Sequence, residues 1–159
     1  MIADSGARRE FTTGAVRDIA GGKGRCDLMP LIEIGMMLWD DVLCKIGRYI
    51  RTGEQQHLME ALHKFVPEAF GCWETALLEL SIHYEDGAKK YEDRNWEKGI
   101  PLHCYIDSAV RHYLKHKRGD NDERHDRAVL WNLLGALWTQ INHAGKPELI
   151  DLPFAQKEE

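Results

Sequence analysis

The run His83 to Gly99, HYEDGAKKYEDRNWEKG, sets acids and bases beside two Tyr and a Trp. At about 100° per residue on a helix, Glu79, His83, Asp86 and Lys90 fall on one face, opposite Leu77, Leu80, Tyr84 and Ala88. Glu85 projects toward a side. Two or three carboxylates on successive turns suit a hard divalent cation, because oxygen ligands on one rigid helix need little reorganisation. The same spacing also describes an ordinary solvated face. Downstream, Lys89, Lys90, Arg94 and Lys98 are residue types that meet phosphate oxygens, the guanidinium bidentately. Trp96 is a ring that stacks on a base and Asn95 an amide that hydrogen-bonds one, unless Trp96 only anchors a loop beneath surface charges.

Further candidates follow. Asp107 and Arg111 stand at i, i+4 with His112 beside them, a spacing equally suited to a plain intrahelical ion pair worth about 0.3–0.5 kcal/mol. His125 and Asp126 open the next helix. Asn132 interrupts its apolar run AVLWNLLGALW, and a buried amide left unsatisfied costs about 1–3 kcal/mol, so a polar group must face it. Seven residues separate His125 from Asn132, which places both toward one cleft or leaves Asn132 to bond a neighbouring helix. Near the N-terminus, GGKGR offers backbone amides with Lys23 and Arg25 to cover phosphates, without the GxxxxGK[ST] spacing or the preceding strand of a P-loop. An unstructured basic arm is the competing reading.

The elements that must position these groups read as helices. Residues 1–30 carry Gly14, Gly21, Gly22, Gly24 and Pro30 and few periodic apolar positions, which predicts an irregular arm. Ile34, Leu38, Val42, Ile46 and Ile50 predict one helix over 31–50, closed by Gly53. A short second helix is expected over 55–65, ended by Pro67. A third runs from Glu74 to about Tyr91, and a fourth from Leu102 to about Lys117 ahead of the break RGDND. The fifth starts near Asp122 or Glu123 and reaches about His143; apolar nearly all round, it is expected to be enclosed by neighbours or by a second subunit. Strand signals are almost absent and the tail AQKEE should fray. The expectation is a single all-α domain over 1–159, a bundle of about five helices.

Composition bounds the function. A net charge of −5 and a pI near 5.9 disfavour duplex nucleic acid, whose binding relies on counterion release by a basic surface. Cys26, Cys44, Cys72 and Cys104 form no CxxC, so neither a zinc ribbon nor a disulfide framework is expected, and a reducing cytoplasm fits. No window has the length and apolarity to span a bilayer, and the N-terminus lacks an apolar signal core.

Taken in order, TTGAVRDIAGGKGRCDLMP, LLELSIHYEDGAKKYEDRNWEKGIPLHCYIDSAVRHYLKHKRGD and HDRAVLWNLL resemble the dATP/dGTP diphosphohydrolase family of phages and bacteria. The ordered set GAKKY, RNWEKG, DSAVRH and HxxAxxWN carries the resemblance. That family is itself similar to the MazG-type all-α nucleotide pyrophosphohydrolases, helical bundles that are often dimeric or higher and use acids to hold magnesium or manganese. The resemblance implies a cytoplasmic enzyme of a bacterial cell or phage-infected host that cleaves a purine deoxynucleoside triphosphate to monophosphate and pyrophosphate. It implies catalytic roles for Glu79, Glu85, Asp107 and His125, and Mg²⁺ or Mn²⁺ held among Glu79, Glu85, Asp86, Asp107 and Asp126. Wheel geometry favours Asp86 alongside Glu79, the resemblance favours Glu85. Lys23, Arg25, Lys89, Lys90, Arg94, Lys98 and Arg111 would meet the triphosphate and Asn95 and Trp96 the base, with His112 and Asn132 also among the substrate-binding residues.

Two departures stand out. The MazG ExxE pattern fails after Glu79, where Ile82 replaces the second acid, although Glu123 and Asp126 spell ExxD. Residues 33–72 look like a helical insertion ahead of catalytic helices over 74–143. A nucleotide sensor without turnover, or a helical interaction module whose fifth helix is a subunit contact, are the alternatives. The resemblance implies a homo-oligomer, a dimer or tetramer.

Overall fold

A computed structural model of the chain describes residues 6–156. Its helices are α1 (Leu31–Leu38), α2 (Asp41–Thr52), α3 (Gln55–Phe70), α4 (Trp73–Lys90), α5 (Leu102–Arg118) and α6 (His125–Asn142). A two-stranded ribbon, β1 (Arg8–Glu10) and β2 (Val16–Asp18), and 3₁₀ turns at Cys26–Leu28, Asn95–Lys98 and Pro153–Gln156 complete it. The class is all-α. Residues 157–159, expected to fray, lie outside the described residues.

α6 is the central element. It packs against α3, α4 and α5, and Val129, Leu130, Leu133 and Ala136 are fully buried, so helices of the same chain enclose its apolar circumference. Gly135 allows the closest approach: a Cβ there would come within 2.7 Å of the ring of Tyr105 on α5. Outward from α3 lies α2, and α1 lies on α2.

The expected single helix over 31–50 is two. Trp39 turns left-handed at φ 54°, and the Asp40 carboxylate then caps α2 by accepting from the Leu43 N–H at 3.0 Å. The apolar rhythm runs straight through the break, which is why spacing alone missed it. α3 continues past Phe65 to Phe70, because Pro67 sits in the last turns, where its missing N–H forfeits only one backbone bond. On α4 the expected stripe is turned: Leu80 is buried, but Leu77 is 51% exposed, and His83 faces inward instead.

The arm also departs from expectation. β1 and β2 pair antiparallel with Arg9 opposite Arg17, and the turn between them closes through Phe11 N–H to the Ala15 carbonyl at 2.9 Å. Asn95 then treats the hairpin as a strand would: Val16 N–H donates to its Oδ1 at 2.8 Å and its Nδ2 donates to the Val16 carbonyl at 2.9 Å. Three-residue strands are too short to show alternation, and their partner lies 79 residues away. Among the described residues no helix is long and apolar enough to cross a membrane.

Candidate functional site

Between the docked arm, the C-terminal half of α4, the 92–96 turn, α5 and the first half of α6 lies a cavity of about 1040 Å³. One wall is aromatic. Trp131 packs between Tyr105 and Tyr84 at ring separations of 5.5 and 6.2 Å, Trp96 lies 5.7 Å from Tyr84, and His83 lies 5.9 Å from Trp131. Burial lowers the His83 pKa to about 4, against the pull of Asp86, so this imidazole is neutral at pH 7.

Cations from three elements line the same space. Arg17 on β2 lies over the Tyr105 and Trp131 rings at 5.6 and 5.5 Å, and its Nη2 donates to Ser108 Oγ at 3.1 Å and Asn132 Oδ1 at 3.3 Å. Its Nη1 is buried with no hydrogen-bond partner. Arg111 on α5 grips Asp107 with contacts of 2.7 and 2.6 Å and donates to the Gly24 carbonyl at 2.9 Å, which pins GGKGR over the cavity beside Lys23. Lys90 lines the same space, paired with Asp18 at 2.7 Å. Asp107 is 4% exposed and also accepts the Cys26 N–H at 2.7 Å, so this carboxylate holds the arm in place.

The structure sorts the residues singled out in the sequence. Lys23, Glu85, Asp86, Lys90, Arg94, Asn95, Trp96, Asp107, Arg111, His112 and Asn132 all line the cavity. Glu79, Lys89, Arg25, Lys98, His125 and Asp126 do not. Glu79 is gripped by Arg127 and by Arg124 at 3.1 Å, and the Arg127 hydrogen bond holds its carboxyl below the usual carboxylate range. Arg124 also chelates Asp126 at 3.0 and 2.9 Å. Arg25 is bidentate to Asp27, Lys98 pairs with Glu92, and Lys89 with Glu85 at 3.5 Å on the exposed side. Asn95 spends its amide on the hairpin and not on a base, and Asn132 finds its expected polar partner in Arg17.

Sequence reasoning missed Arg17, Trp131 and the inward His83. Arg17 sits in a segment without periodicity, so no spacing pointed to it. Trp131 was adjacent to Asn132 and read only as part of an apolar run. The five acids expected to hold a metal do not converge. Among the described residues, the groups whose ligand atoms do converge are His112 with Glu123 and His125, and Asp120 with Asp122 and His125.

A family model described as dATP/dGTP diphosphohydrolase, N-terminal, matches residues 51–148, from the end of α2 to beyond α6. No curated protein and no solved structure matches.

Proposed function

The chain belongs to the dATP/dGTP diphosphohydrolase family, and on that premise we propose that the cavity hydrolyses a purine deoxynucleoside triphosphate to the monophosphate and pyrophosphate. The observation that carries this reading is Arg17, a half-buried guanidinium whose buried Nη1 has no hydrogen-bond partner, set beside an aromatic wall and the other cations of the cavity. A base stacks against Trp131 and Tyr84, and the triphosphate extends toward Arg17, Lys23, Lys90 and Arg111. Water attacks the α-phosphorus, the bond to the bridging oxygen breaks, and pyrophosphate leaves with the added negative charge that these cations stabilise in the transition state.

A divalent cation, when bound, neutralises phosphate charge and acidifies a bound water. The acids expected to hold it fit that role only in part: Glu85 and Asp86 line the cavity, whereas Glu79, Asp107 and Asp126 are already held by arginines. Those arginine-held acids favour, as a second reading, a nucleotide-binding module without turnover. Pyrophosphate release measured through coupled pyrophosphatase, over all dNTPs with Mg²⁺ or Mn²⁺, separates the two. Release with dATP or dGTP supports the enzyme; calorimetric binding with no release from any nucleotide selects the sensor. Leu77, Leu78 and Ile82 form an exposed apolar row on α4, the face on which a homo-oligomer would assemble. Light scattering reads that state directly.

A further inference from the structure

Two imidazoles and a carboxylate meet where α5 turns into α6. His112 lies in the C-terminal half of α5, His125 is the first residue of α6, and Glu123 belongs to the connection between them. Their ligating atoms form a small triangle. His112 Nδ1 and His125 Nδ1 are 2.9 Å apart, and Glu123 Oε1 lies 3.2 Å from the first and 3.6 Å from the second. The point equidistant from all three is about 1.9 Å from each, against metal–ligand bonds of about 2.0–2.2 Å for imidazole and carboxylate. An ion at ordinary bond lengths therefore fits slightly out of that plane without backbone movement.

The orientation of His125 is set from behind. Its Nε2–H donates to Asp122 Oδ1 at 2.7 Å, leaving Nδ1 as the lone-pair nitrogen, the arrangement by which an outer carboxylate orients a metal-binding imidazole. His125 is 2% exposed, so this orientation is locked by packing. The 2.9 Å approach of the two Nδ1 atoms requires a shared proton when no ion is bound; with the His112 proton on Nε2 instead, both Nδ1 lone pairs face the ion with no change in charge. The neighbouring group of Asp120, Asp122 and His125 is a poorer nest, since Arg118 already chelates Asp120.

We propose that His112, Glu123 and His125 bind one divalent transition-metal ion, with open coordination positions on the side of the cavity that His112 and Glu123 line. Three protein ligands leave room for water or a phosphate oxygen, as in catalytic rather than structural sites. The donor set selects the ion class. Two imidazole nitrogens and one oxygen suit Mn²⁺, Fe²⁺, Co²⁺ or Zn²⁺, whereas Mg²⁺ prefers an all-oxygen shell. Binding stands by itself; only its use on a triphosphate rests on the hydrolase reading above.

Cobalt reports the site directly. The full chain, freed of metal by chelator and dialysis, is titrated with Co²⁺ without nucleotide. Visible ligand-field absorption should grow to one equivalent and persist in excess Mg²⁺. Glu123→Gln and His112→Gln should each weaken Co²⁺ binding at least tenfold, and Asp122→Asn by about 10- to 100-fold. Circular dichroism and metal-free melting of each variant confirm that the fold is retained; Glu123→Gln and Asp122→Asn test the site even if His112→Gln does not fold. Absence of the absorption, or absorption unchanged in folded Glu123→Gln, overturns the proposal. Pyrophosphate release with Mg²⁺ and no Co²⁺ binding would remove this site and leave the hydrolase; Co²⁺ binding with no release would do the reverse.

Discussion

Arg17→Ala is the sharpest test of how the cavity works. The guanidinium holds Ser108 and Asn132 through Nη2 at 3.1 and 3.3 Å and leaves Nη1 buried and unpartnered. A phosphate oxygen that accepts from Nη1 makes a charge-assisted hydrogen bond, worth about 1.5–3 kcal/mol. At about 1.4 kcal/mol per factor of ten, its loss should lower kcat/KM for dATP or dGTP about 10- to 150-fold. Stability should fall as well, since the variant loses two hydrogen bonds and the cation–π contacts to Tyr105 and Trp131, offset in part by removal of a buried unsatisfied donor, so a net loss of about 2–4 kcal/mol is expected in urea unfolding. Arg17→Lys keeps the charge without the planar fork and should fall between the parent and Ala. The assay is coupled pyrophosphate detection on variants shown to be folded at the assay temperature. If folded Arg17→Ala turns over nucleotide within twofold of the parent, the triphosphate does not lie against β2 and the reasoning fails.

Other outcomes follow from packing and titration. Gly135→Ala gains about 1 kcal/mol of helix propensity, but its Cβ would press within 2.7 Å of the fully buried Tyr105 ring, so urea unfolding should show a net loss of about 1–2 kcal/mol. Gly87→Ala meets nothing within 4 Å and should stabilise α4 by about 0.5–1 kcal/mol in the same assay. Asp40→Ala removes both the α2 cap and the acceptor, at 2.6 Å, of the Tyr113 hydroxyl, and should cost about 2–3 kcal/mol. Stability should also fall on both sides of neutrality. Asp151 raises the His103 pKa from 6.5 to about 10, so that pair contributes fully below pH 6.5 and is lost as pH rises through 10, by about 1 kcal/mol in this half-exposed setting. His83, lowered to about 4 by burial, acts oppositely, and stability drops as pH falls from 6.5 toward 4. Urea midpoints across pH should lose the alkaline slope in His103→Gln, and His83→Asn should reduce the acid slope without abolishing it, since burial lowers His112 in the same direction, to about 3.

The helices most legible in the sequence were α5 and α6, because unbroken apolar periods there end at strong punctuation, Pro101 before one and Gly119 after it. The break at Trp39–Asp40 was hidden, since Leu38 and Val42 keep the same period on either side of it. Spacing placed Glu79 and Asp86 together on α4, yet only Asp86 lines the cavity; spacing had no means of showing that Arg127, 48 residues on, takes the Glu79 carboxylate. Arg17 was unreadable for a related reason: its segment has no period, and its role appears only once Asn95 docks the hairpin.

The sequence by itself determined the helical class, the family and most of the polar inventory around the cavity, because helix faces and motif order are properties of near neighbours. Tertiary structure alone decided which of those charges are neutralised, which imidazoles meet at Nδ1, and that the arm closes the cavity. Those outcomes depend on the groups that other elements bring against each side chain, and local spacing carries no record of them.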